Sequence, residues 1–122
     1  MTFQIKRIYD KAKPGDGRRV LVDRLWPRGV KKSSAHLDDW MKEVAPSARL
    51  RQWFGHKPER FVEFRHRYRK ELAGSAGLAR LKKLGRDEKV TLLYGAKDPK
   101  INHAVVLLAA LKPRKKKKTK RT

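Results

Sequence analysis

Two short apolar runs constrain this chain more than any other feature: Val20-Leu21-Val22 within RVLVDRL, and Val90 to Tyr94, VTLLY. Each is too short for an ordinary helix and continuous rather than alternating, the pattern of a strand buried on both faces. A sheet made of such strands needs cover on both sides. The runs therefore point to an α/β fold, a small three-layer sandwich with a mostly parallel sheet flanked by helices. Apolar residues make up 39% of the chain and include three Trp, four Phe and three Tyr, enough to close one small core despite 38% charged residues. In 122 residues there is room for one domain, taken as 1–111, and an addition, 112–122.

The remaining elements follow from periodicity. Phe3, Ile5, Ile8 and Tyr9 alternate roughly with polar residues and predict a first strand over Thr2 to Tyr9, broken by AKPGDG. The second strand runs from Arg19 to Leu25. Leu37, Trp40, Met41 and Val44 fall at i, i+3, i+4 and i+7 and predict a helix, with Ser33 or Ser34 near its start and Pro46 after its end. Ala48 to Phe54 predicts another, stopped by Gly55. A third opens at Pro58-Glu59 and carries Phe61, Phe64, Tyr68 and Leu72 on one face, with Arg65, Arg67, Arg69 and Lys70 on the other. Gly74 to Gly77 reads as a loop, Leu78, Leu81 and Leu84 as a short helix ending at Gly85. Asn102 is placed to cap a last helix, apolar on nearly every side from Ala104 to Leu111 and so expected to lie against the sheet. The middle third should be nearly all helix, and strand order is not legible.

Zero cysteines exclude disulfides, thiolate zinc sites and thiol nucleophiles. The four histidines, His36, His56, His66 and His103, have no close zinc spacing, and neither metal nor cofactor is expected. Ala104 to Leu111, the longest apolar run, is far below the roughly 20 residues of a membrane helix. MTFQIKRIYD lacks the apolar core of a signal peptide, so the expectation is a cytoplasmic protein without membrane insertion.

Charge points to anionic partners. The chain has 34 basic and 12 acidic residues, net +22. Up to Leu111 there are 26 basic residues against all 12 acidic ones, a net of +14. The tail, KPRKKKKTKRT, has no apolar periodicity and is expected to be disordered, with Lys112, Arg114, Lys115, Lys116, Lys117, Lys118, Lys120 and Arg121 offered to nucleic acid or another polyanion. Five phosphate contacts would give a log–log salt slope of roughly −4.5.

In a parallel sheet, ligands gather beyond the carboxyl ends of the strands, and both apolar strands end in unusual polar sequences. Asp23-Arg24-Leu25-Trp26-Pro27-Arg28-Gly29 sets a carboxylate and two guanidinium groups around a tryptophan, suited to a planar or anionic group. Tyr94 to Ala104 carries a strand through Asp98-Pro99 into a helix whose start, at Asn102 and His103, favours an anion, with His103 available to move a proton. Trp53-Phe54-Gly55-His56 places aromatics and a histidine at a helix end. The candidates are Asp23, Asp98 and His103 for proton transfer, and Arg7, Arg24, Trp26, Arg28, His56 and Asn102 for binding. Glycine spacing matches neither a P-loop nor a dinucleotide fingerprint.

Taken in order, IKRIYD, RVLVDRLWPRG, LDDWMKEVAPS, LRQWFGH, FRHRYRKEL and VTLLYGAKDPKINHAVVL resemble the DUF488 family, in its small bacterial YeaO-like branch. The likeness runs from about Ile5 to Leu111 and leaves the basic tail outside. It implies a compact α/β domain and brings no activity with it. Other branches of the family place a Cys-His-Arg sequence where this chain has Asn102-His103-Ala104, so only His103 carries across. The resemblance implies that the two polar strand ends share one pocket. Two functions fit: a hydrolase or transferase acting on a phosphate-containing or nucleic-acid-derived substrate in an anion or nucleotide pocket, or a non-enzymatic nucleic-acid-associated protein using its basic face and tail.

Overall fold

Val90–Tyr94 is the central strand of the sheet, and all five of its residues are buried. The computed structural model describes residues 2–112. Four strands, β1 (Phe3–Arg7), β2 (Arg18–Leu21), β3 (Asp39–Trp40) and β4 (Val90–Tyr94), form one sheet in the order β1-β4-β2-β3, with every pairing parallel. Leu92 is flanked by Ile5 on one side and Val20 on the other. Val90, Leu92 and Tyr94 face the main core and Leu93 a smaller second one, which is why the run is continuously apolar.

The main core is closed by α2 (Ala48–Phe54), α3 (Phe61–Leu72), α4 (Ala76–Asp87) and α5 (His103–Leu111), with Phe54 and Phe64 stacked at 4.2 Å. The opposite face is covered more thinly by α1 (Lys32–Ala35) and by Trp26, Val30 and Leu37. The expected helix signals act locally. Ser47 and Ser75 accept hydrogen bonds from Leu50 and Leu78 N–H, Asn102 accepts from Val105 N–H, and Gly55 ends α2 in the left-handed region at φ 52°. No helix among the described residues is long and apolar enough to cross a membrane. Apart from Lys112, the tail expected to be disordered lies outside the described residues.

Four expectations are corrected. The helix predicted over Leu37 to Val44 is instead the edge strand β3 followed by a single 3-10 turn, Lys42–Val44. Its backbone groups are claimed by β2: Asp38 N–H donates to the Arg19 carbonyl and Met41 N–H to the Leu21 carbonyl, while the Asp38 carboxylate accepts from Arg19 N–H. Met41 and Val44 are buried all the same, so the apolar stripe is satisfied by an extended edge. The loop at Gly74 to Gly77 is shorter than predicted, since Ser75 already caps α4. Gly85 does not stop that helix but lies inside it, under the ring of Phe3. The second strand ends at Leu21, and residues 22–25 begin the site loop.

Asp16 ties three segments together. Its buried carboxylate accepts from Lys6 Nζ at 3.0 Å, from Arg19 and from Lys13 N–H. Burial alone would raise its pKa, but these hydrogen bonds and the Lys6 charge outweigh it and hold the carboxyl below the usual aspartate value. A carboxylate depressed in the folded state stabilises it above the unfolded pKa, and that contribution disappears as pH falls through the folded value. Chemical denaturation between pH 6 and pH 2 should therefore show stability dropping below about pH 4. Asp16→Asn should be less stable at pH 6 and show a flatter decline. Gly85→Ala should destabilise by about 1–3 kcal/mol by overpacking, and Phe3→Leu in the same chain should recover part of the loss in thermal melts.

Candidate functional site

Because β2 and β4 are adjacent and parallel, their carboxyl ends open onto the same edge of the sheet. Beyond the last paired residues, Gly95 N–H donates to Asp23 Oδ2 at 2.9 Å, joining the two strand exits. A Cβ at residue 95 would lie 2.9 Å from that same oxygen, so a larger residue there would displace the carboxylate. Trp40 Nε1 donates to the Asp23 carbonyl at 2.7 Å and fixes the exit from the β3 side.

His103, the first residue of α5, places Nε2 3.1 Å from the Val22 carbonyl and 3.1 Å from Asp23 Oδ1. Both neighbours are acceptors, so Nε2 carries the proton. The hydrogen-bond geometry is met at the carbonyl, which leaves Asp23 Oδ1 buried and without a hydrogen bond among the described residues. The Tyr68 ring meets His103 edge-on at 6.3 Å, but its phenol is buried and donates to the Val44 carbonyl. Burial pushes its pKa far up and removes it as a proton donor in acid–base chemistry near neutrality.

The loop after β2 is held by its own polar atoms. Arg24 Nε donates to the Pro46 carbonyl at 3.0 Å, Trp26 Nε1 to the Val30 carbonyl at 2.7 Å, and Tyr9 Oη to the Arg28 carbonyl at 2.8 Å. Trp26 packs edge-on against Trp40, in the second core. A cavity of about 370 Å³ opens between this loop, the start of α5 and the end of α2.

Seven of the nine residues proposed from sequence for proton transfer or binding line this cavity: Asp23, Arg24, Trp26, Arg28, His56, Asn102 and His103. Two do not. Asp98 is exposed and its Oδ1 closes a turn by accepting from Lys100 and Ile101 N–H, bonds that lower its pKa. Arg7 donates Nε to the Ala96 carbonyl and lies over the Tyr9 ring, behind the wall. Asn102 is buried and spends its side chain on Val105 N–H and the Asp98 carbonyl, so its part is to hold the helix start. Sequence reasoning missed Arg51, Phe54, Phe64 and Tyr9 as wall residues. Phe54 and Phe64 do serve the core as their periodicity implies, and the signal for Arg51 is its place one turn before Gly55, beside Phe54. Trp53 is half-buried beneath the guanidinium groups of Arg60 and Arg67. His36 and His66 are exposed elsewhere, and no group of three His, Asp or Glu side chains suited to a metal occurs among the described residues. From Arg114 to Arg121, the residues assigned to nucleic acid lie outside the described residues.

The wall carries three guanidinium groups, from Arg24, Arg28 and Arg51, against the one carboxylate of Asp23. None of the three is within salt-bridge distance of a carboxylate among the described residues. The arrangement can hold an anion, and it holds a donor imidazole against a carboxylate.

Comparison with known proteins gives concordant matches. A family model described as the inactive DUF488-N3 subclade matches residues 2–122, which extends through the basic tail. An uncharacterized protein of Mycobacterium tuberculosis, Rv3073c, is 45% identical over 111 residues, 91% of this chain and 94% of the relative. The uncharacterized protein YeaO of Escherichia coli K12 is 46% identical over 108 residues, 88% of this chain and 94% of the relative. No solved structure matches the chain.

Replacing the cap tests how far the site depends on the start of α5. Asn102→Ala should cost about 1–2 kcal/mol of stability, whereas Asn102→Asp should recover most of it by restoring a side-chain acceptor, as read by urea denaturation.

Proposed function

The chain belongs to the DUF488 family, and from that premise we propose that it is a non-catalytic binding protein whose cavity takes a phosphate-bearing, nucleotide-class anion. One observation carries the reading: Arg24, half-buried and with no carboxylate partner, stands with Arg28 and Arg51 around a concave space. A guanidinium drawn partly out of water with a single carbonyl as its partner keeps an uncompensated charge, and an anion seated against it offsets that cost with charge-assisted hydrogen bonds. The apolar part of the wall suits a ring attached to that anion. Leu25 and Tyr9, 58% and 45% exposed, both lie at this cavity, beside Trp26, Phe54 and Phe64. The volume is in the range of small-molecule sites.

Absence of turnover fits the wall chemistry. No serine, threonine or cysteine lines the cavity, and the chain contains no cysteine at all. The matching subclade is described as inactive, which agrees with a retained pocket and a lost nucleophile.

A second reading, a hydrolase or transferase on a phosphate-containing or nucleic-acid-derived substrate, is favoured by the 3.1 Å approach of His103 Nε2 to Asp23 Oδ1. In that case a water molecule would be the nucleophile, with this pair managing its proton.

Calorimetric titration of the full chain with inorganic phosphate and with a nucleoside 5′-monophosphate separates these readings. The proposal expects the nucleotide to bind more tightly than phosphate, Arg28→Ala to weaken it by about tenfold or more, equivalent to at least about 1.4 kcal/mol, and no product to form. No binding of either ligand at millimolar concentration would overturn it. Turnover that His103→Ala abolishes would establish the second reading instead.

A further inference from the structure

We infer that the anion held in the cavity is the terminal nucleotide of a single-stranded nucleic acid, and that the strand leaves the cavity across the connection between α2 and α3. The inference rests on the proposed nucleotide-class pocket and extends it along the surface. His56 lines the cavity, and the chain from there to Arg60 is short and basic: His56, Lys57 and, after Pro58-Glu59, Arg60. Arg60 donates Nη1 to the Trp53 carbonyl at the end of α2, and its guanidinium lies over the Trp53 ring. Arg67, in the second turn of α3, lies over the same ring at 4.4 Å. Cations interleaved with an aromatic ring are what a sequence-tolerant single-strand site uses, charge for the phosphates and flat surfaces for the bases.

Two further observations favour this route. Gly55 and His56 both take positive φ, 52° and 57°, so the chain turns sharply off α2 with a non-glycine residue in the left-handed region exactly where it reaches the cavity rim. The carboxylates of α3 are also engaged: Glu63 pairs with Arg67, and Glu71 accepts from Ser47 N–H and Oγ. Lys70, next to Arg67 on the helix surface, is left without a carboxylate among the described residues. Along the path Lys57, Arg60, Arg67 and Lys70 stand against Glu59 and Glu63, an excess of two positive charges. A duplex end does not suit it, because its bases are already paired and stacked and offer no free face to the wall.

The test uses the full chain and the variant Lys57→Glu with Arg67→Ala, both exposed positions outside the cavity wall. Fluorescence anisotropy with a ten-nucleotide single strand, the matching duplex and heparin is run across a salt series, with nucleoside 5′-monophosphate titrated separately. Expected are single-strand affinity at least tenfold above that of the mononucleotide, a loss of about tenfold in the double variant, and a salt slope shallower by about 1.4 for two lost phosphate contacts. Mononucleotide affinity should be unchanged in that variant. If the variant keeps its single-strand affinity and slope, or if duplex or heparin binds as tightly as the single strand, the route is wrong and a generic polyanion effect explains the binding. If the mononucleotide itself fails to bind, the pocket reading fails and with it the seating of a strand end there. A strand that binds only as tightly as the mononucleotide overturns the route and leaves the pocket reading standing.

Discussion

A strand buried on both faces and paired on both edges must find a partner inside the protein for every polar group it carries. β4 is that strand, and meeting its demands organises the structure. Thr91 donates to the Asp16 carbonyl and accepts from Gln4. That fixes the segment whose carboxylate gathers Lys6 and Arg19. At the other end the ladder continues past the strand, with Val22 N–H on the Leu93 carbonyl and Ile8 N–H on the Tyr94 carbonyl. Gly95 N–H is the next donor, and Asp23 takes it. The candidate site thus begins as the solution to a backbone problem, and the position of Asp23 against His103 follows from it.

The parts of this arrangement that were legible in the sequence are those set by local pattern. VTLLY could only be a strand covered on both sides, FVEFRHRYRKEL could only bury one stripe, and Asn102 before a wholly apolar octet could only be a cap. Parallel neighbours then bring Asp23 and His103 to one edge without knowledge of the strand order. The segment from Leu37 to Val44 was illegible for a tertiary reason. Its apolar spacing fits a helix, yet β2 presents a free edge, and the hydrogen bonds taken by Asp38 and Met41 outcompete the intrahelical ladder. Gly85 misleads in the same way, as a contact requirement of Phe3 with the outward form of a stop signal.

The cavity divides along the same line. Loop residues that follow a strand, such as Arg24, Trp26 and Arg28, can be assigned from sequence because the strand end says where they go. Arg51 and Phe64 arrive from helices whose placement depends on core packing, so the local signal beside Gly55 places Arg51 at a helix end without saying which wall that end meets. Asp98 and Arg7 illustrate the converse. Each is a few residues from the site in sequence, and each is consumed in shaping the backbone behind it. Proximity to a functional loop counts for less than which atoms remain free once the loop has closed.

Position 102 shows what a helix start asks of the residue that opens it. The resemblance implies a Cys-His-Arg sequence in other branches where this chain has Asn102-His103-Ala104. The residue stands at the N-cap of a nine-residue helix, beside the free N–H groups and the positive end of the helix dipole. A thiol at such a position is biased toward the thiolate and toward nucleophilic attack. Asparagine meets the same backbone demand with a neutral amide, accepting from Val105 N–H and donating to the Asp98 carbonyl, and in doing so is buried. The cap holds the helix start, with the His103 imidazole beside it and the guanidinium groups of Arg24, Arg28 and Arg51 around the cavity. The features that would bind an anion are fixed by the sheet edge and the helix end rather than by a reactive side chain at position 102.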